Sequence, residues 1–144
     1  MEKITKQFLL DNKIVIYINS QTGQPEIWRY SKDCRNAKAD WHELKPLKKV
    51  TKTKYGKDHV YYCIRPRING KYVQMYVSRV VYAFLHGSIP EGLEIDHIDR
   101  NPANNKPSNL RAVTHYENMQ NRTESYRDVS LRFWRLKKQL EGTL

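Results

Sequence analysis

The stretch from Leu93 to Asn121 constrains this chain more than any other. Leu93 to His97 reads as a short strand ending in two side chains able to do chemistry, Asp96 and His97. Pro102 and Pro107, set among Asn and Asp, keep the next eleven residues from forming regular structure. Leu110 to Val113 can form a second short strand. Thr114 and Glu117 then have capping-box spacing, Thr114 as N-cap and Glu117 reaching back to it. The helix they open carries Asn118 in its first turns and Asn121 one turn further on. The order is strand, loop, strand, helix.

Within that order stand Asp96-His97, then Asn109 before Leu110, then Asn118 after Glu117. This spacing resembles the ββα-metal core of HNH endonucleases. It most closely resembles the HNH homing and free-standing endonucleases of bacteriophages, whose helical position is Asn. The resemblance implies Asp96 and Asn118 as metal ligands and His97 as general base. It implies Asn109 as the residue that holds the loop and orients the imidazole.

The residue types suit the chemistry. Phosphodiester hydrolysis needs a cation on the scissile phosphate and leaving oxygen, and a base for the attacking water. Two oxygen ligands, one of them neutral, favour hard cations such as Mg²⁺ or Mn²⁺ over zinc. An imidazole with a reference pKa of about 6.5 can accept a proton near neutrality. Singly, each residue has an ordinary structural use. Asp96 can cap a turn, His97 can be a half-buried structural histidine, Asn109 can make an Asx-turn, and Asn118 can be an exposed helix residue. It is their joint order that carries the reading. Asp99, Asn104, Asn105 and His115 are expected to be turn or surface residues.

The length, 144 residues, suits one domain or one domain with appendages. Cys34 and Cys63 have neither metal-ligand spacing nor a disulfide framework, so both are expected to stay reduced in a cytoplasm. No apolar run is long enough for a signal peptide or a membrane span. The net charge of +11 points to a polyanionic partner. Residues 29–79 hold 14 Lys and Arg against 4 Asp and Glu, whereas the catalytic stretch is slightly acidic.

Lys13 to Asn19 and Glu26 to Tyr30 read as strands around a Thr22-Gly23 turn. A tyrosine strand, Thr-Gly turn and Ile-Trp strand also open many phage HNH proteins, a weaker resemblance over Tyr17 to Trp28. Residues 31–57 read as a long basic loop, with a short strand near Leu47–Val50. His59 to Arg65 and Lys71 to Val77 form a hairpin about Asn69-Gly70, the preferred type I′ pair. That turn pairs Ile68 with Lys71, Ile64 with Met75 and Tyr62 with Val77. One face is then Val60, Tyr62, Ile64, Val73, Met75 and Val77; the other carries Tyr61, Arg65, Arg67, Tyr72, Gln74 and Tyr76. Val77, Val80, Val81, Phe84 and Leu85 mark one face of an amphipathic helix. Ser78 is its N-cap or lies in its first turn, and Gly87 ends it. The helix is expected to pack under the strand–loop–strand–helix unit. Val129, Phe133, Leu136 and Leu140 set the apolar stripe of a basic C-terminal helix over Tyr126–Leu140.

The fold expected is α+β: an N-terminal β-hairpin or antiparallel sheet, a helix, the ββα-metal core and a C-terminal helix. Residues 1–54 form a basic, DNA-contacting β and loop region, 55–121 the HNH domain and 122–144 the terminal helix. Lys48, Lys49, Lys52, Lys54, Arg65, Arg67, Arg79, Arg100, Arg111, Arg132 and Arg135 are the candidates for nucleic-acid contact. The function expected is a DNA endonuclease using Mg²⁺ or Mn²⁺, monomeric, acting in a cytoplasm and encoded by a phage or mobile element. The rivals are a non-catalytic DNA-binding protein that keeps the fold, and an RNA-directed nuclease.

Overall fold

The computed structural model describes residues 3–32, 38–52, 58–120 and 137–138. It is α+β with antiparallel sheets. Helix α1 (Lys6–Asp11) is not foreseen from the sequence. It is under two turns long and holds because Thr5 Oγ1 accepts the Phe8 N–H at 3.0 Å while Leu9 is fully buried.

Strands β1 (Ile14–Ile18) and β2 (Pro25–Lys32) form the expected hairpin, with Ile16 opposite Ile27. The expected loop over 31–57 is corrected in one place, where residues Ala39–Glu43 form β3, which pairs with β2. The short strand expected near Leu47–Val50 is present as β4 (Leu47–Thr51). The β3 pairing brings Trp41 opposite Tyr30, with the rings 5.4 Å apart edge to face.

Strands β5 (His59–Ile64), β6 (Arg67–Ile68), β7 (Lys71–Tyr72) and β8 (Met75–Tyr76) make up the second hairpin. Asn69 and Gly70 have φ of 51° and 79°, as a type I′ turn requires, and Ile68 pairs with Lys71. The ladder is interrupted at Pro66, which has no N–H to give. Register survives the break through Val73 N–H on the Pro66 carbonyl at 2.9 Å and resumes at Ile64–Met75. It ends at Cys63–Tyr76 and does not reach Tyr62–Val77, because Val77 is already helical.

Helix α2 (Val77–His86) is the hub. It touches α1, β1, β5 and β8, and also both strands of the last hairpin. Val77, Val80 and Val81 are buried, joining Leu9, Ile14, Ile27, Ile64, Met75 and Leu110 in one core. Fully burying each such side chain contributes about 1.5–3 kcal/mol. Leu85 departs from the expected face and is 43% exposed. Tyr76 is the N-cap residue, leaving Ser78 in the first turn, and Gly87 closes the helix at φ 92°. The Lys6 N–H on the Gly87 carbonyl, at 2.8 Å, ties the N-terminus to this end.

Strands β9 (Glu94–His97) and β10 (Leu110–Val113) pair antiparallel, joined by a loop that ends in a 3-10 turn at Pro107–Asn109. Helix α3 (His115–Gln120) follows and packs on both strands. Thr114 Oγ1 accepts the Glu117 N–H at 3.2 Å, the first half of the expected capping box. Apart from 137–138, which are helical, the expected C-terminal helix lies outside the described residues, as does Cys34. Cys63 is a free, buried thiol. Alternation puts it on the outer hairpin face, but its cross-strand partners, Leu47 and Tyr76, are large and cover it.

Candidate active site

Three polar residues are buried among the described ones, Asp96, Asn105 and Asn109, and all lie in the β9–loop–β10 unit. Burial of polar groups is tolerated only when they are bonded, so these three mark where the chain invests in geometry.

Adjacent strand residues leave on opposite sides. Asp96 therefore shares a face with Glu94 and with its cross-strand partner Arg111, while His97 turns toward the loop. Arg111 Nε donates to Asp96 Oδ2 at 2.9 Å. Glu94 is gripped from α3: Asn118 Nδ2 donates to its Oε2 at 2.7 Å, and His115 Nδ1 contacts its Oε1 at 2.8 Å. Asn118 thus stands on the Asp96 side of the hairpin. With its amide nitrogen on Glu94, its oxygen is the atom left to act as a ligand. His115, expected at the surface, is exposed and also serves as this second clasp on Glu94.

His97 Nε2 lies 2.8 Å from Asn105 Oδ1, and Asn105 Nδ2 donates to the Pro102 carbonyl at 3.4 Å. An amide oxygen can only accept, so Nε2 carries the proton and Nδ1 the lone pair in the neutral ring. The bond expected from Asn109 is thus made by Asn105, which the sequence places among the turn residues. Asn109 braces the loop instead. Its Oδ1 accepts the Asp99 N–H at 3.0 Å, and its Nδ2 donates to Asp99 Oδ1 at 2.9 Å and the Asn104 carbonyl at 2.8 Å. Asp99 is the turn residue expected. The Asn104 amide, the Asn101 N–H, the Asn109 amide and the nearby His97 together hold its carboxyl below the usual aspartate value. Arg100 adopts φ 63°, left-handed for a non-glycine residue, with its N–H on the His97 carbonyl at 3.0 Å.

Among the described residues no three His, Cys, Asp or Glu side chains are grouped to hold a metal. Asp96 and Asn118 offer oxygen donors on the same side of β9, the donor type that suits a hard cation such as Mg²⁺, which keeps most of its shell for water and phosphate.

Among the described residues the basic candidates are spread over different elements and faces. Lys48 and Lys49 leave exposed edge strand β4 on opposite faces, paired with Tyr62 and Tyr61 respectively. Lys49 therefore joins the outer face of the hairpin, with Tyr61 packed edge to face on Tyr76 at 5.1 Å, exposed Arg65, and Arg67 over the Tyr72 ring at 6.0 Å. Lys52 reaches Asp58 at 3.7 Å, and half-buried Arg79 lies in the first turn of α2. Lys54, Arg132 and Arg135 lie outside the described residues. Replacing Lys49, Arg65 and Arg67 together by Ala is expected to weaken DNA binding across all sequences. It should also flatten the dependence of log affinity on log salt by about one for each phosphate no longer neutralised. Replacing Lys48 alone should do much less. Fluorescence anisotropy across a salt series reads both; an unchanged slope in the triple variant would make this face a solvated surface only.

Residues 75–120 match the family model described as HNH endonuclease, a span that begins at β8 and runs through α3. A protein of Acanthamoeba polyphaga mimivirus, described as an uncharacterized HNH endonuclease, is 40% identical over 53 residues, covering 36% of this chain and 28% of that protein. No solved structure matches.

Proposed function

We propose that this chain, whose residues 75–120 match the HNH endonuclease family model, is a DNA endonuclease that hydrolyses phosphodiester bonds with Mg²⁺ or Mn²⁺. The observation that carries the reading is that buried Asp96, next to His97, shares its side of β9 with Glu94, which Asn118 bonds through its amide nitrogen. In this reading Asp96 and Asn118 hold the cation. When bound, the cation neutralises charge on the scissile phosphate and the leaving oxygen. His97 takes a proton from the attacking water at Nδ1. Asp96 and His97 diverge from the strand, so the phosphate that both serve sits at the C-terminal end of β9, where the turn to Arg100 begins. Arg111 bonds Asp96 and Arg100 belongs to that turn, and both suit the charge of a phosphate. The preference for DNA rests on the basic, aromatic outer face of the hairpin.

One site per chain addresses one phosphate at a time, so the product expected from a monomer is a nick. On supercoiled plasmid with enzyme below substrate, open circles should accumulate first and linear DNA only later. An RNA of the same length, run in parallel, should stay intact. Linear DNA formed directly, at a rate rising as the square of enzyme concentration, would contradict the monomeric nickase. Preferential cutting of the RNA would contradict the choice of substrate.

A further inference from the structure

The bond on the His97 ring has a support that comes from far away in the chain. Gln24, half-buried at the start of the β1–β2 hairpin's second arm, bonds the catalytic loop with both ends of its amide. Its Oε1 accepts the Asn105 N–H at 3.2 Å, and its Nε2 donates to Asn104 Oδ1 at 3.1 Å. These bonds span 81 and 80 residues of sequence. Gly23 beside it lies against Lys106, so close that a Cβ there would meet Lys106 Cε at 3.3 Å. Asn105 in turn is 6% exposed and reaches His97 Nε2 at 2.8 Å.

We propose that Gln24 and Asn105 are positioning residues that together fix the orientation and tautomer of the His97 imidazole, so that the N-terminal hairpin is part of the catalytic apparatus. This rests on His97 being the base. A neutral imidazole has two tautomers and a ring that can turn over. An acceptor held at Nε2 selects one of each, and that acceptor can only do so if its own backbone is held. Asn109 braces the loop from below, through Asp99 and the Asn104 carbonyl, but makes none of the bonds to Asn105 itself. Gln24 makes that bond, and it lies outside residues 75–120.

The test compares Gln24→Ala, Asn105→Leu and Asn105→Asp with the parent. Gln24→Ala and Asn105→Leu should each lower kcat by about 10–100-fold, the usual cost of losing a partner that orients a histidine, with the KM for DNA unchanged. Asn105→Asp keeps an acceptor oxygen and should recover turnover above Asn105→Leu. The second readout needs no cleavage and no metal. Nitrogen NMR of the metal-free proteins, at about pH 8.5 where an ordinary imidazole is neutral, should show His97 protonated at Nε2 in the parent and Asn105→Asp, and averaged between both nitrogens in the other two. If Asn105→Leu does not fold, Gln24→Ala decides alone. A Gln24→Ala protein with the parent's kcat and ring nitrogen shifts would overturn the proposal, as would Asn105→Asp behaving like Asn105→Leu. A parent that cuts no nucleic acid but keeps a fixed Nε2–H ring would overturn the nuclease reading and leave the positioning relay standing.

Discussion

His97→Ala is expected to lower turnover by about 10²–10⁴-fold, the range in which a positioned general base contributes, while DNA affinity hardly changes. In the proposed reading the imidazole acts on water, and neither Asp96, Asn118 nor the outer hairpin face depends on it for charge. Some stability goes with it. Asn105 Oδ1 is buried and loses its 2.8 Å partner, and an acceptor left unsatisfied costs about 1–3 kcal/mol. Single-turnover cleavage and anisotropy binding, each checked against thermal unfolding, separate the two effects. Undiminished turnover in a folded His97→Ala protein would remove the imidazole from the mechanism.

Asp96→Ala should have the larger effect. In the proposed reading it removes the charged ligand of the cation, and it takes the counter-charge from Arg111, whose Nε stands 2.9 Å from Oδ2. A cation on the transferring phosphate supplies several kcal/mol of transition-state stabilisation. At about 1.36 kcal/mol per factor of ten, the loss expected is at least about a thousandfold in cleavage. Arg111 keeps its charge and is half exposed, so non-specific DNA affinity should hold or rise. Calorimetric titration with Mn²⁺ in the presence of uncut DNA checks the cause directly. An Asp96→Ala protein with the parent's Mn²⁺ affinity would mean that the cation is held elsewhere.

The parts legible in the sequence are those written by local chemistry. The β9–β10 strands, the Thr114 cap, the Asn69-Gly70 turn and the Val77–His86 face each follow from a few neighbouring residues, and the structure has each within a residue or two of its expected place. The parts that escape it depend on partners distant in sequence. Strand β3 reads Ala-Asp-Trp-His-Glu, too polar to announce itself, and its one large apolar side chain is completed by Tyr30 from the neighbouring strand. Helix α1 is too short to form on propensity and is held by the burial of Leu9. In the site, nothing local distinguishes Asn105 from Asn104 or Asn101, since all three are good turn residues. Only the folded loop shows which of them reaches back to the imidazole. Glu94 gives no signal because a charged residue at a strand edge ordinarily faces water, whereas α3 here brings both Asn118 and His115 onto it.

The central claim, that Asp96 and Asn118 hold a hard divalent cation for cleavage of DNA, is tested most directly by one cleavage series on plasmid. The purified protein is incubated in excess chelator, then with Mg²⁺, Mn²⁺ or Zn²⁺ restored in turn, alongside Asp96→Ala. Cleavage that is absent in chelator, restored by Mg²⁺ or Mn²⁺ more than by Zn²⁺, and absent throughout in the variant is the result predicted. Full cleavage in chelator, or a requirement met by zinc alone, would contradict it.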